Sequence, residues 1–376
     1  EEIGEGDHEH DGRGRDPEEH EGDEGRLASQ AGHLELVAEL LAVELHVVGR
    51  LVDRFEAVRM RVGEGGERAL DHDDAGLAAD VAGHADVAGH ELVLDAHPVA
   101  ALAGVVDKVG FTGSTEVGRS IGELCGRHLQ SPCLELGGKN PAIVLPSANP
   151  AKAAEIIVAG CFGNAGQLCV SISRVYVPNA VKAEFEKELV SIVGKLKVGK
   201  SNDFNFDIGS LTSAAQLARV ERYVADAKQK GAKFLIGGEP LPEVGPYFFA
   251  PSVVTNIGDD VLLKREEVFG PVLSVYGYDS IDEAVDAAND SEFGLNSSII
   301  GNRKEAQKLA ARINAGSVNI NEGYRASFAS FGAPMGGFKQ SGQGRRSGVG
   351  GLLRYTEART VGVARTIAGI GLPMNA

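Results

Sequence analysis

From about residue 105 onward, short apolar segments alternate with amphipathic segments of helical length. Val105–Phe111 and Arg174–Val177 are typical of strands, whereas Thr115–Cys125 and Pro150–Phe162 have the spacing of helices. Strands that alternate with helices favour a sheet covered by helices, with ligands at the strand ends. The alternation therefore predicts an α/β fold. The same pattern predicts strands at Leu134–Leu136, Ala142–Leu145, Phe234–Ile236, Leu273–Tyr276 and Ser298–Ile300, and helices at Val181–Lys195, Ala214–Lys230, Ile281–Asn289 and Lys304–Ile313.

The first hundred residues differ from the rest in charge and composition. They carry 26 Asp and Glu against 8 Arg and no Lys, a net charge of −18, whereas the remainder has 27 acidic and 29 basic residues, a net charge of +2. Neither part has the basic excess of a nucleic-acid-binding surface. Nearly all residues in 1–104 have codons that begin with G or C, so one hypothesis is that this segment is translated from the wrong frame. The other is an acidic segment that is disordered over residues 1–26, with one or two helices in residues 33–62.

This segment also holds nine of the ten histidines. His8, His10 and His20 are close enough in sequence to suggest a metal-binding protein as a rival interpretation. No cysteine or second ligand pair completes a recognisable site, so we predict no metal and assign no chemistry to residues 1–104.

The four cysteines form no Cys-x-x-Cys pair, which is typical of a protein in a reducing cytoplasm. No run of 18 apolar residues is present, so no membrane span is predicted.

Cys169 is the candidate nucleophile. It ends the string Gly-Asn-Ala-Gly-Gln-Leu-Cys that begins at Gly163, whose small residues allow a backbone loop to approach a ligand closely. A reactive thiolate needs an accessible, polar setting with backbone N–H groups nearby. Taken alone, however, a cysteine is more often a small buried hydrophobe.

Glu135 is the candidate general base. It lies in an apolar strand that ends in Gly137 and Gly138, and burial there would raise its pKa toward the range that suits a base. The alternative is a strand-end glutamate paired with Lys139.

Two further strings are compatible with cofactor binding. Gly113, Ser114 and Gly118 lie between a strand and a helix, where free N–H groups and the positive end of the helix dipole suit a pyrophosphate. Glu267 precedes Phe269 in Glu-Glu-Val-Phe-Gly-Pro, where a carboxylate accepts ribose hydroxyls and an aromatic ring packs on the cofactor. A charge at a helix end and a core phenylalanine explain the second string equally well.

These strings, in this order, resemble the signatures of the aldehyde dehydrogenase superfamily. Pro334–Gly342 resembles its C-terminal glycine-rich motif, and the resemblance covers roughly residues 105–365. It implies a Rossmann-like cofactor domain, here truncated, plus an α/β catalytic domain. Residues 105–135 would be the remainder of the cofactor domain and residues 136–325 the catalytic domain. Residues 326–376 would return to the cofactor and oligomerisation region.

The resemblance also implies roles. Cys169 would attack an aldehyde to give a thiohemiacetal whose oxyanion is held partly by the Cys169 N–H. Hydride would pass to NAD or NADP, and Glu135 would then activate water to release the acid. Gly113, Ser114 and Gly118 would lie along the cofactor phosphates. Glu267 would hold the nicotinamide ribose, and Phe269 would pack beside it.

The chain departs from the family in its first part. It has 134 residues before Glu135, fewer than family members have, and no counterpart of the segment that carries the family's oxyanion asparagine. The resemblance therefore also allows a catalytically impaired remnant with a structural or interaction role. Assembly into a homo-oligomer would depend on an intact N-terminal region.

The choice of aldehyde rests on two C-terminal strings. Asn319–Ala326 and Gly342–Arg346 look like one branch of bacterial succinate-semialdehyde dehydrogenases. Arg325 is the candidate for binding the substrate carboxylate, and a solvated loop arginine is its alternative. Gly163 stands where better-studied semialdehyde enzymes carry a carboxylate-binding arginine.

Overall fold

The computed structural model describes residues 106–200 and 205–362. Predictions for residues 1–104, including His8, His10 and His20, lie outside the described residues. The predicted alternation of strands and helices is confirmed. The strands are β1 (Gly110–Thr112), β2 (Cys133–Glu135), β3 (Asn140–Val144), β4 (Ile172–Pro178), β5 (Lys233–Ile236), β6 (Ser252–Thr255), β7 (Val272–Tyr278), β8 (Phe293–Gly294), β9 (Asn296–Ile300), β10 (Ser317–Ile320), β11 (Phe338–Lys339) and β12 (Gly342–Gln343). The helices are α1 (Thr115–Arg127), α2 (Pro150–Phe162), α3 (Asn179–Val193), α4 (Ala214–Gln229), α5 (Leu262–Arg265), α6 (Ile281–Asn289), α7 (Arg303–Ala310), α8 (Arg325–Phe328) and α9 (Gly348–Leu353), with a 3-10 turn at Gly163–Gly166.

A seven-stranded sheet in the order β10-β9-β3-β4-β7-β6-β5 forms the larger core. Its strand pairs are parallel except for β5, which runs antiparallel to β6. Ala142 and Val144 of β3 face the cluster that α2, α3 and α4 cover, whereas Ile143 of the same strand faces α6 and α7. Both faces are thus buried, as expected for a parallel sheet.

A three-stranded sheet in the order β1-β2-β12 lies beside α1. The strand predicted at Val105–Phe111 is wrong in extent, because only Gly110–Thr112 pairs, and it pairs with Cys133–Glu135. β12 runs antiparallel to β2 and brings Gly342 opposite Glu135.

The helices that position the site begin at side-chain caps. The Ser114 hydroxyl accepts a hydrogen bond from the Val117 N–H at the start of α1, and the Asn149 carbonyl oxygen of the side chain accepts one from the Lys152 N–H at the start of α2. Each cap satisfies an N–H that the first turn leaves without a partner. No helix in the described ranges is long and apolar enough to cross a membrane.

Candidate active site

Cys169 lies between the 3-10 turn that follows α2 and the start of β4. Its side chain is partly buried and packs against Val170, Leu295 and Met335. The backbone of the 3-10 turn before Cys169 is strained, since Asn164 and Ala165 have φ of 53° and 54°, in the left-handed region that non-glycine residues seldom adopt. A Cβ on the next residue, Gly166, would lie 2.2 Å from the Gly270 carbonyl oxygen. The nucleophile loop is therefore packed directly on the loop that follows Glu267.

Buried asparagines hold the backbone around Cys169. The Asn140 side-chain amide donates to the carbonyls of Cys169 (2.8 Å) and Ser171 (2.7 Å). The Asn296 amide donates to the Val170 carbonyl at 2.9 Å. The Asn140 side-chain oxygen in turn accepts the Asn296 backbone N–H at 3.0 Å. The backbone carbonyls of Cys169, Val170 and Ser171 thus each accept a hydrogen bond from a side chain, as buried polar groups require.

The chain of amides continues away from the nucleophile. Asn319 donates to the Asn296 side-chain oxygen at 2.8 Å, and the Asn319 oxygen accepts the Ser327 N–H at 3.0 Å. Asn296 also donates to the Gly323 carbonyl at 3.0 Å. The network therefore connects the Cys169 backbone with the Gly323–Ser327 loop, which contains Arg325.

The electrostatic surroundings of Cys169 oppose ionisation overall. Burial raises the pKa of its thiol, and the nearby carboxylates of Glu267 and Glu135 raise it further. Arg346 and the residue's own backbone N–H act in the opposite direction. Because the Glu135 carboxylate is near enough to raise the pKa of the Cys169 thiol, the structure brings the two predicted catalytic residues into one site.

Glu135 is buried at the end of β2, with 5% of its surface exposed. Neither of its carboxylate oxygens has a hydrogen-bond partner among the described residues. Burial raises the pKa of this carboxyl, while Arg346 and Arg345 lower it. A carboxylate with a raised proton affinity and free lone pairs is suited to accept a proton.

The two glycines after Leu136 allow segments of the site to pack closely together. A Cβ on Gly137 would lie 2.3 Å from the Glu267 Oε2, and a Cβ on Gly138 would lie 2.7 Å from the Cys169 carbonyl oxygen. The Gly138 N–H donates to the Glu267 Oε1 at 2.8 Å. The Gly-Gly pair is therefore the point at which the base, the nucleophile loop and the Glu267 loop meet.

Lys139 is not the partner of Glu135. It is buried at 2% exposure, and burial, with Arg174 beside it, lowers its pKa to about 7. Glu267 and Glu266 partly offset this effect. The ion pair that the structure shows for Glu135 is with Arg346. The Glu135–Lys139 alternative considered from sequence is thus wrong, because the positive charge beside Glu135 comes from a distant segment of the chain.

A cleft of about 790 Å³ lies beside these residues. Its wall includes the N-terminus of α1, with Ser114, and the carboxylate-bearing loop with Glu267. Gly113 is exposed next to Ser114, and its N–H donates to the Glu135 carbonyl at 3.1 Å. The other residues that line the cleft are Thr115, Glu116, Arg219, Arg265, Glu266, Asn289, Asp290, Ser291, Glu292 and Phe293.

Two further predicted cofactor residues, Gly118 and Phe269, lie in the described part of the chain. Gly118 is buried, and a Cβ there would lie 2.3 Å from the Leu136 side chain, so the glycine allows α1 to pack closely on the end of β2. Phe269 has φ of 57° and is partly exposed. Their contacts with a cofactor stay predictions.

Arg325 begins the short helix α8, and its side chain is 75% exposed. Its Nε pairs with the Glu322 Oε1 at 3.0 Å. The preceding residue, Tyr324, packs against the Cys169 cluster. A Cβ on Gly163 would lie 2.9 Å from the Tyr324 hydroxyl, so this phenol occupies the space beside Gly163.

Sequence reasoning missed several residues of the site. The asparagines Asn140, Asn296 and Asn319 are polar residues within or next to apolar strands, and that signal was available. Arg346 lies within a string that we compared with a family branch, but no local pattern places it beside Glu135. Within the described residues, no group of three or more His, Cys, Asp or Glu is placed to hold a metal ion.

Comparison with known proteins identifies the family. Residues 75–361 match the model of the aldehyde dehydrogenase family. The chain therefore belongs to the aldehyde dehydrogenase family, which confirms the resemblance that its motifs show. The family match begins thirty residues before the resemblance seen in those motifs.

The curated relatives include a Mycolicibacterium smegmatis protein that carries the provisional name succinate-semialdehyde dehydrogenase (NADP+). It is 46% identical over 262 residues, which are 69% of this chain and 51% of the relative. A Bacillus subtilis protein with the provisional name aldehyde dehydrogenase DhaS is 40% identical over 69% of this chain and 52% of its own length. The chain thus spans about half the length of the curated relatives that it matches.

Solved structures support the fold. Betaine aldehyde dehydrogenase from Staphylococcus aureus, in complex with NAD+, superposes with a TM-score of 0.64 at 36% identity over 68% of this chain and 51% of that one. An NAD-dependent aldehyde dehydrogenase from Sinorhizobium meliloti gives a TM-score of 0.64 at 38% identity over 67% of this chain and 50% of that one. The aldehyde dehydrogenase-like fold predicted from the sequence is confirmed.

Proposed function

We propose that this protein oxidises an aldehyde to a carboxylic acid with NAD or NADP as the hydride acceptor. The observation that carries the proposal is the pairing of a partly buried thiol, Cys169, with a buried carboxylate, Glu135, whose oxygens have no hydrogen-bond partner in the described part of the chain. Family membership supports the same chemistry.

The two residues divide the reaction between them. The Cys169 sulfur attacks the aldehyde carbon, and the carbonyl electron pair moves to oxygen, giving a thiohemiacetal. NAD or NADP, when bound, would accept the hydride from the thiohemiacetal carbon, and Cys169 would then hold the resulting thioester. Glu135 then accepts a proton from water as the water oxygen attacks the thioester carbon. The Cys169 thiolate leaves, and the acid is released.

The cleft that Ser114 and Glu267 line has features that fit a dinucleotide. The N-terminus of α1, from Ser114 to Glu116, lines it, and helix N-termini favour phosphates. Glu267 offers a carboxylate for ribose hydroxyls, held in place by the Gly138 N–H. The volume lies within the range of small-molecule sites. We propose that these residues, with Phe269 and Gly118, line the NAD or NADP site.

We further propose succinate semialdehyde as the substrate. The provisional name of the M. smegmatis relative supports it. Arg325 supports it as well, because its guanidinium is exposed and the preceding residue, Tyr324, packs in the cluster that contains Cys169. Arg325 would exchange its Glu322 partner for the substrate carboxylate. If so, Arg325→Ala reduces kcat/KM for succinate semialdehyde but not for a neutral aldehyde of similar size. Equal losses on both aldehydes would contradict this role.

The first experiment is reduction of NAD+ and NADP+ by the purified full chain with succinate semialdehyde, with Cys169→Ala as the control. Turnover that this substitution abolishes supports the proposal. A second assay, hydrolysis of an activated ester, needs Cys169 and Glu135 but no dinucleotide. Ester hydrolysis without aldehyde oxidation would contradict the proposed oxidation and favour a remnant that keeps only the catalytic pair.

Two related expectations accompany the function. All four cysteines are free thiols, which supports the prediction of a cytoplasmic protein. Homo-oligomerisation stays a prediction from the family resemblance, and light scattering on the purified chain tests it.

A further inference from the structure

Arg346 is the ion-pair partner that the structure shows for the buried Glu135. Its Nε lies 3.9 Å from the Glu135 Oε1, and the Arg346 side chain is 42% exposed, so the guanidinium extends from solvent into the site. The contact is one of charge, since neither Glu135 oxygen accepts a hydrogen bond from any described residue. The position of this arginine therefore determines where a positive charge lies relative to the Glu135 carboxylate.

Several contacts fix Arg346. Its backbone N–H and carbonyl both pair with Met335, each at 2.7 Å. Its Nη2 lies 3.2 Å from the Met335 sulfur, and its guanidinium lies 5.9 Å from the centre of the Phe328 ring. Met335 also packs in the apolar cluster around Cys169. Arg346 is therefore anchored to the same cluster that supports the nucleophile.

The neighbouring arginine has a different environment. The Arg345 Nη1 donates to the carbonyls of Gly337 (3.1 Å) and Gly344 (2.6 Å), and its guanidinium lies 5.2 Å from the centre of the Phe338 ring. Both arginines act on Glu135, but Arg346 also acts on the thiol of Cys169. The other charged or titratable groups in this environment are Glu267, whose carboxylate acts on Cys169, and Tyr355, on which the Glu135 carboxylate acts.

We propose that Arg346 is a positioning residue of the catalytic pair, which holds the Glu135 carboxylate in the site and places one positive charge beside two groups that react as anions. This inference rests on the proposed function. Thiolate, Glu135 and Glu267 would otherwise bring three negative charges together in a partly desolvated site, where repulsion between like charges is strong. Arg346 offsets part of that repulsion while leaving the Glu135 oxygens free for water.

The test is the pH dependence of Cys169 alkylation by iodoacetamide in the full chain, followed by mass spectrometry of the Cys169 peptide. The assay needs neither dinucleotide nor aldehyde. Arg346→Gln removes the positive charge, so the midpoint moves to higher pH by roughly half a unit to one unit. Arg346→Lys keeps the charge and restores most of the original midpoint. Arg345→Gln, the matched control, moves the midpoint less than Arg346→Gln does.

Ester hydrolysis gives a second measurement, on Glu135. Arg346 lowers the pKa of that carboxyl against the effect of burial, so its removal leaves Glu135 protonated up to a higher pH. The acidic limb of the hydrolysis profile then moves upward in Arg346→Gln and returns in Arg346→Lys. A purely structural role would reduce the rate without moving this limb.

The inference is overturned by an unchanged midpoint and limb in Arg346→Gln, by an equal shift of the alkylation midpoint in Arg345→Gln, or by failure of Arg346→Lys to restore the midpoint and the limb. A rise in KM for succinate semialdehyde with an unmoved alkylation midpoint also overturns it, and would make Arg346 a substrate-binding residue. If the parent chain oxidises no aldehyde but shows the predicted alkylation shifts, the proposed function fails while this inference stands.

Discussion

The two halves of the catalytic pair are held in opposite ways. Around Cys169, the backbone carbonyls of three successive residues accept hydrogen bonds from buried asparagines. At Glu135, the side-chain oxygens accept none from the described residues, and the nearest cation is 3.9 Å away. A nucleophile needs a fixed position, whereas a base needs an unsatisfied, desolvated carboxylate. The site provides rigidity on one side and proton affinity on the other.

The largest effect is expected from removing the base. In Glu135→Gln, aldehyde turnover falls by roughly 10²–10⁴ because water loses its proton acceptor, while the first acylation of Cys169 persists as a burst. The Cys169 thiol also ionises at lower pH, since the Glu135 carboxylate raises its pKa in the parent chain. Rapid-quench kinetics and the alkylation profile measure the two effects.

The control for that experiment is Glu123→Gln, on the exposed side of α1, where the glutamate pairs only with Arg127. Its turnover should match the parent chain. Steady-state turnover of Glu135→Gln close to the parent value would contradict the assignment of Glu135 as the base.

Asn140→Ala tests the hydrogen bonds that hold the backbone around Cys169. The substitution leaves the buried carbonyls of Cys169 and Ser171 without their donors, and we expect a loss of roughly 2–4 kcal/mol in the free energy of unfolding. Urea denaturation measures it. Asn179→Ala is the matched control, because Asn179 is exposed and its amide bonds to Asp279 at the surface; its cost should stay below about 0.5 kcal/mol. Equal costs would argue against the network.

The point where the two sides meet is tested by Gly138→Ala. The new Cβ would lie 2.7 Å from the Cys169 carbonyl oxygen and 2.6 Å from the Asn140 Oδ1. We expect a loss of roughly 1–3 kcal/mol in unfolding free energy from the forced shift. Gly126→Ala is the control, since nothing lies within 4 Å of its Cβ position, and in a helix it should gain up to about 1 kcal/mol. A neutral Gly138→Ala would contradict the close approach.

The last effect, a dependence of stability on pH, concerns Lys139, which is next to this meeting point. Burial lowers its pKa from 10.5 in the ordinary state to about 7 in the fold. Between these values the unfolded chain holds a proton that the folded chain lacks, so stability rises with pH, at most by about 1.4 kcal/mol per unit. Lys139→Met should remove this slope between pH 7 and 9 in urea denaturation. The exposed Lys195→Met should keep it, and a parent chain without the slope would contradict the prediction.

Much of the fold could be predicted because local spacing carried the information. The helices Pro150–Phe162 and Ile281–Asn289 were predicted with their observed bounds, since each begins at a capping residue and has helical periodicity. β6 and β10 were missed. Both are four residues long, and they become strands because neighbouring strands offer them hydrogen bonds.

The candidate site divides in the same manner. The motifs around Cys169 and Glu135 predict these two residues as nucleophile and base, because such groups need particular neighbours in the chain. The ion-pair partner of Glu135 could not be predicted. Lys139 is only four residues away and is the nearest cation in sequence, whereas Arg346 reaches the site only when β12 pairs with β2. The glycine pair was visible, but the groups that approach it were not.

The sequence by itself determined the family and the α/β alternation, and it predicted Cys169 and Glu135 as nucleophile and base, because each depends on residue type and local spacing. Only the tertiary structure decided which charges surround that pair and which side chains hold the nucleophile's backbone. Those properties arise where segments far apart in the chain exclude water from one another. Burial then raises the proton affinity of Glu135, lowers that of Lys139 and requires buried asparagines to satisfy the carbonyls beside Cys169.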